Sequence, residues 1–284
     1  MIVGQTAKLL HWMELDLYER VEYSGRVSRL SEAVKKEGSA KRFVEGLLRR
    51  GHYSPLEFAR VAIINGRGER IYAHVREIRD KAREGRVFWQ NIAKLMARTY
   101  PAFFIDMIDM DWWSLPPVDD GIVWWVGDRN WYPVHFVTNR AISHQLVRYR
   151  NRICWMQESQ RFCRYGSGRF GSGLVVIDPA PYFKTGTQAR VLWRKTVNTA
   201  EKTYLELLKS GVPPQEAREV LPNCVKTELI GYAHIDEWRH IFSQRLTQEA
   251  DPKIIDLLLP LYQQFVKKDL MKKREFDVIW KKTC

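Results

Sequence analysis

The chain has 284 residues, 45% of them hydrophobic, and 46 Lys and Arg against 33 Asp and Glu leave a formal net charge of +13. That composition excludes disorder for most of its length and supplies a sizeable core, in one large domain or two small ones. The positive excess points to anionic partners, either compact ligands or nucleic acid. No apolar run approaches the roughly 18 residues of a membrane helix. No leader segment is visible at the start, Met1-Ile2-Val3-Gly4-Gln5. The cysteines (Cys154, Cys163, Cys224, Cys284) lack CxxC spacing, which argues against structural zinc and for a reduced, cytoplasmic compartment.

Residues 5–21 read as a short amphipathic opening segment. Leu30, Ala33, Val34, Phe43, Leu47 and Leu48 recur at helical spacing and predict a helix over 28–50, closed by Gly51 after Arg49 and Arg50. Gly51-His52-Tyr53-Ser54-Pro55-Leu56-Glu57-Phe58 then turns into a strand over 59–64, and Asn65-Gly66 is a strong turn signal. A charged helical pattern is expected over 67–100, with Ile71, Val75, Ile78 and Ala82 as one stripe and Ile92, Leu95 and Met96 as a second. Pro101 closes it. The Trp-rich stretch 102–132, with turns at Pro116-Pro117 and Asp119-Asp120-Gly121, could be a lid or an oligomer contact, but large aromatics mostly bury.

From Tyr132 the pattern sharpens. A short strand is expected over 134–137, capped by Thr138 or Asn139, and a helix follows on which Arg140, His144, Gln145 and Arg148 share a face. A Gly/Ser-rich loop (166–173) and a short strand (174–177) come next. The remainder is mainly helical: 186–210, 215–220, 236–245 and 252–269, with 227–233 as a link. Fold class is therefore α+β, a single compact domain over 1–284 with mixed helices, an antiparallel sheet and an inserted region at 66–130.

One constellation carries chemistry. Arg140, Arg148, Arg150, Arg152, Arg161 and Arg164 crowd a short stretch with His144, Gln145, Gln157, Ser159 and Gln160 among them. Arginine suits planar, bidentate recognition of phosphate, and the interleaved amides and hydroxyl suit a base edge. A nucleic-acid groove would favour lysines in a stripe. The cluster therefore points to a nucleotide pocket.

These residues resemble the flavin-dependent thymidylate synthase family. That family is marked by Arg-His-Arg followed after seven residues by Ser, within a longer pattern of the form SHQLVRHR…SQRY, and this chain reads Ser143-His144-Gln145-Leu146-Val147-Arg148-Tyr149-Arg150 with Glu158-Ser159-Gln160-Arg161-Phe162 downstream. Gly51 to Glu57 resembles the family's GHxSPxEH block. Ala217-Arg218-Glu219-Val220-Leu221-Pro222 and Phe242-Ser243-Gln244-Arg245 resemble its ARxxLP and F-x-x-R segments. The resemblance covers roughly 20–65 and 130–270. Tyr149 replaces the central histidine, Phe58 replaces another, and eight residues rather than seven separate Arg150 from Ser159, so Arg150 or Arg152 fills the second motif arginine.

The resemblance implies reductive methylation of deoxyuridylate, with methylenetetrahydrofolate as carbon donor and FAD, recharged by NADPH, as reductant. It implies Arg148, Ser159 and Arg245 as catalytic residues. The nucleotide set would be Gln145, Arg148, Gln157, Ser159, Arg161, Arg218 and Arg245. The FAD set would be His52, Ser54, Glu57, Arg148, Tyr149, Arg150, His234 and His240, with His52 alternatively serving the folate. Ser28 resembles a flavin contact only weakly. A homotetramer with shared active sites is implied as well, with no metal and no membrane or specific nucleic-acid partner. Local alternatives stand beside these roles: Arg218 could pair with Glu216 or Glu219, Glu57 could pair nearby, and His240 could be an ordinary helix histidine. Alternatives for the whole chain are a relative that leaves a hydroxymethyl group or takes another pyrimidine nucleotide, a non-catalytic homologue, and a basic nucleic-acid-binding protein.

Overall fold

The computed structural model describes residues 1–12, 14–32, 35–115, 121–127, 130–166 and 168–272, without the side chain of Arg169. In chain order its regular elements are β1 (Ile2–Val3), β2 (Thr6–Leu9), α1 (Leu17–Val27), α2 (Ser39–Arg49), β3 (Arg60–Ile64), β4 (Arg70–His74), α3 (Val75–Arg83), α4 (Val87–Ala97), β5 (Val123–Val126), β6 (Trp131–Asn139), α5 (Arg140–Leu146), β7 (Ile153–Gln157), β8 (Val176–Ile177), α6 (Gln188–Lys209), α7 (Pro214–Ala217), β9 (Lys226–His234), α8 (Ile235–Arg245) and α9 (Pro252–Lys267). Helices and largely antiparallel sheet occur together, as an α+β chain requires. The elements gather into two compact units. The first comprises Met1–Leu10, Val27–Ser31 and Tyr132–Cys284, and the second His11–Arg26 and Glu32–Trp131.

The first unit is organised by a four-stranded sheet in the order β2-β6-β9-β7. β2 runs antiparallel to β6, and β7 antiparallel to β9. Phe136, Leu229, Trp238, Phe242, Leu258 and Phe265 form a core in which α8 and α9 share their apolar residues with the sheet. A second cluster gathers Tyr165, Val176, Val197, Tyr204 and Leu208 around α6. β1 and β8 pair in parallel. The segment expected to be a link at 227–233 is instead the inner strand β9. It is buried almost throughout and so lacks the apolar/polar alternation that marks a half-exposed strand. Gly231, directly opposite Trp155, permits this packing: a Cβ there would lie 2.6 Å from the Trp155 ring.

The second unit is built on a three-stranded antiparallel sheet, order β4-β3-β5, with α1 to α4 contributing to its core. The turn at Asn65-Gly66 joins β3 to β4. The Asn65 carboxamide oxygen accepts from the backbone N–H groups of Arg67 (3.0 Å) and Glu69 (2.9 Å), the local device that makes asparagine a turn residue. The helix expected over 28–50 begins only at Ser39. Leu30 and Gly38 both have positive φ (47° and 68°), which breaks the helical path, while Ala33 and Val34 lie outside the described residues. Gly51 closes α2 as expected: its φ is 67°, and the His52 N–H returns to the Leu47 carbonyl (3.0 Å). The pattern expected to be helical over 67–100 opens as strand β4, and Gly85 (φ 83°) divides the rest into α3 and α4.

The stretch 66–130 shares a core with residues 17–63, because β4 and β5 both pair with β3 and Phe103, Phe104 and Met107 are buried beside Val61 and Ile63. Its aromatics are mostly inside, with Trp112, Trp113 and Trp124 packed against that core. The expected turns at 116–120 lie outside the described residues. Arg79, 1% exposed, donates to both carboxylate oxygens of Asp106 (2.8 and 2.7 Å) and to the Phe103 carbonyl. A buried guanidinium is stable only with such partners.

Candidate active site

In the first unit, β6 leads directly into α5. Asn139 caps it, its side-chain oxygen accepting from the Ile142 N–H at 2.8 Å. The helix ends at Leu146 with Val147 as cap. Arg148 therefore lies beyond the helix and does not share a helical face with Arg140, His144 and Gln145, as the spacing had predicted. It opens the turn Arg148-Tyr149-Arg150-Asn151-Arg152 that leads into β7. Arg152 takes a positive φ of 48° there, so the arginines do not form an extended run.

This turn makes one wall of a cleft of about 510 Å³, and Asp236, Glu237 and His240 from α8 make the other. Arg148 and Arg150 are exposed, with no hydrogen bond or ion pair among the described residues. Arg152 is engaged with Asp236 at 3.2 Å, and Asp236 also takes Arg239 (3.0 Å). The two candidates for the second motif arginine thus differ: Arg150 faces the cleft uncommitted, and Arg152 is held to its rim.

The Tyr149 ring meets His240 edge-on (centroids 5.7 Å apart, planes at 80°), and the Arg245 guanidinium lies 5.6 Å from the Tyr149 centroid. Burial pushes the Tyr149 phenol above its ordinary range while Arg245 opposes the shift. Arg245 Nε is buried and has no hydrogen-bond partner among the described residues. Burial also raises the Glu237 carboxyl, against the pull of His240 and Arg152. Trp155 Nε1 donates to the Tyr149 carbonyl at 2.9 Å and ties the turn to β7.

The remaining residues of the expected nucleotide set lie apart from this cleft lining. Gln145 donates to Asp251 (2.9 Å). The Gln157 amide is committed to the hydroxyls of Ser143 (2.8 Å) and Thr227 (3.2 Å), which makes it a tie between β7, α5 and β9. The Ser159 N–H donates to the Ser28 carbonyl at 2.9 Å. Arg161 donates to Gln215 (3.3 Å) on α7, and Arg218 directly follows that helix. These contacts bring Arg161 and Arg218 to one region. Arg218 lies 4.0 Å from Glu219, its local alternative. His234 caps α8 through Nδ1, accepting from the Asp236 N–H at 3.3 Å.

In the second unit, Ser54 and Glu57 sit on a 3₁₀ turn, Ser54–Phe58, with Pro55 at its start. Glu57 pairs with Arg76 at 2.6 Å, the local pairing that stood as its alternative. His52 and Ser54 are exposed.

The first unit also holds a buried carboxylate network that the sequence did not reveal. Glu158, 1% exposed, accepts from the Tyr165 hydroxyl (2.5 Å) and the Glu228 N–H (3.1 Å), with Lys226 Nζ at 3.6 Å. Arg140 holds the Glu158 carbonyl at 2.7 Å. Burial raises the Glu158 carboxyl, with Lys226 opposing. Burial would raise Glu228 too, but His135 (3.0 Å) and Lys226 outweigh it and hold that carboxyl down to about 2. The glutamates and Lys226 were visible in the sequence, but β9, which brings them together, was not recognised.

Residues 131–269 match the family model described as thymidylate synthase complementing protein. This segment is similar to flavin-dependent thymidylate synthases. The chain is 28% identical over 131 residues to the flavin-dependent thymidylate synthase of Pyrococcus furiosus, covering 46% of this chain and 52% of that one. It is 32% identical over 116 residues to that of Geobacter sulfurreducens (41% of this chain, 47% of the other) and 34% identical over 116 residues to that of Saccharolobus solfataricus (41% and 42%). The chain thus spans about half the length of the curated relatives it matches. The matched segment contains the cleft, Arg245 and the Glu158 network.

Proposed function

We propose that the protein is a flavin-dependent thymidylate synthase, which converts deoxyuridylate to thymidylate with methylenetetrahydrofolate as carbon donor and FAD recharged by NADPH. The observation that carries this reading is the cleft of the first unit. Two exposed arginines without partners among the described residues, Arg148 and Arg150, face a compact opening within the family-matched segment. Uncommitted guanidiniums and the orphaned Arg245 Nε suit anionic, planar ligands, so the residues present fit a nucleotide and a flavin.

Arg148 and Arg150 bind phosphate oxygens and orient the ligands. Arg245, held against Tyr149, stabilises negative charge that develops on the uracil ring, a placed cation acting where charge appears. The Ser159 hydroxyl donates a hydrogen bond rather than attacking. Arg161 and Arg218 add cationic recognition of the nucleotide phosphate. Tyr149 stays neutral because burial raises its phenol, and with His240 it supplies an aromatic wall. The flavin, when bound, supplies the hydride. His52, Ser54 and Glu57 are assigned to flavin binding, His52 alternatively to folate, and the assembly is a cytoplasmic homotetramer with shared sites.

The absorbance spectrum of the purified protein, before and after deoxyuridylate, tests this. Flavin bands that shift on adding the nucleotide are expected. Mass analysis of the product with methylenetetrahydrofolate then separates methyl from hydroxymethyl transfer. A colourless protein that takes up no added FAD and does not respond to deoxyuridylate overturns the reading.

A further inference from the structure

The sheet of the second unit has two unlike faces. Val61, Ile63, Ile71, Ala73, Trp124 and Val126 point into the core. The register places Ala62 between Tyr72 and Trp125, and Ile64 between Arg70 and Val123, on the opposite face. None of these six belongs to that core. Tyr72, Trp125 and Val123 are 38%, 37% and 57% exposed, although large apolar side chains on a folded unit normally find cover.

The chemistry of this face is aromatic and cationic. The Arg70 guanidinium lies 5.7 Å from the Trp125 ring centroid and 3.5 Å from the Tyr72 hydroxyl. Arg60, at the other end of β3, stacks on Trp131 at 3.5 Å. Arg67 is exposed at the β3-β4 turn. Glu69, the acid nearest that turn, is occupied by the Asn65 amide at 2.7 Å. Tyr72 and Trp125 are separated by one strand, roughly 10 Å at two interstrand spacings. Arg70 lies over one face of Trp125, which leaves the other face for stacking, and the buried Ala62 (1% exposed) lies between the two rings.

We infer that this face binds single-stranded nucleic acid, two bases stacking on Tyr72 and Trp125 while Arg67 and Arg70 meet the phosphates. Every base has a π-face, so such a platform is tolerant of sequence, and the chain's net charge of +13 favours a polyanion. An apolar protein partner fits less well, because Arg70 lies beside both rings and Arg67 is exposed at the adjoining turn. The site is distinct from the cleft of the first unit and does not depend on the catalytic reading.

The test is fluorescence anisotropy with a labelled twelve-nucleotide oligothymidylate, excess deoxyuridylate being present to occupy the cleft. Binding is expected to persist under those conditions. Trp125→Ala and Tyr72→Ala should each weaken it roughly tenfold. The logarithmic salt slope should be near −1.4, and Arg70→Gln should reduce its magnitude by about 0.7. Both rings are exposed, and circular dichroism verifies folding of the variants. No binding by the folded protein, displacement by deoxyuridylate, or binding unchanged in both aromatic variants overturns the inference. It is also overturned if the two variants abolish self-association in sedimentation while leaving oligonucleotide affinity unchanged, since the face would then be an interface between copies.

Discussion

The two units use buried charge differently. In the second, Arg79 is locked to Asp106 and a backbone carbonyl, so the charge is spent on holding α3 to the segment after α4. In the first, Glu158 and Glu228 form a network with Tyr165, Lys226 and His135, and Arg140 holds the Glu158 carbonyl. Arg148, Arg150 and the Arg245 Nε are left without partners among the described residues. Exposed guanidiniums and one buried Nε thus remain available in the unit assigned to ligand binding. A uniform excess of arginine in the composition conceals two separate uses.

The largest effects should come from the buried charges. Asp106→Ala strands Arg79 and should cost about 3–5 kcal/mol. Glu158→Ala leaves the Tyr165 hydroxyl and the Glu228 N–H without their acceptor, about 3 kcal/mol. Hydrogen exchange distinguishes the two: the first variant should accelerate exchange in β3, α3 and α4, the second in β7 and β9. Equal acceleration everywhere would mean that the two cores unfold as one, and the contrast would fail. Next, Arg245→Ala should lower thymidylate formation by about 10²–10³ without changing the melting midpoint. A variant with near-normal turnover would remove Arg245 from the chemistry.

The last effect is a dependence on pH. Glu228 falls from an ordinary 4.5 to about 2 in the folded protein. The stability it contributes is complete above 4.5 and is lost as pH falls toward 2. Glu158, raised by burial, acts in the opposite sense, its penalty growing as pH rises above its ordinary value. Glu228→Gln should therefore flatten the acid limb of stability against pH, measured by urea unfolding between pH 5 and 2. An unchanged limb would place the acid sensitivity elsewhere.

Much of this architecture was legible in the sequence, and the omissions have physical causes. Gly51 announced the end of α2, Asn65-Gly66 the hairpin, and Asn139, one of two cap candidates, caps the helix that follows it. β9 was missed because burial on both faces removes alternation and Gly231 weakens the strand signal. Arg148 was placed on a helix because apolar periodicity runs through Leu146 and Val147, while neither glycine nor proline marks the stop. The arginine turn was visible as local density. Asp236, which organises its rim, was not, because its partner Arg152 lies 84 positions away and only the fold brings them together. Gln157 looked like a ligand contact, yet two hydroxyls from α5 and β9 claim its amide.

Gly231 has a consequence beyond its strand. The Trp155 ring rests on it, and the same indole grips the carbonyl of Tyr149. A side chain at 231 would lift the ring, and the indole would carry the cleft wall with it. The mouth of the cleft is thus calibrated by a missing methyl on the inner strand, and remodelling the cleft for a bulkier ligand could begin at a position that never touches it.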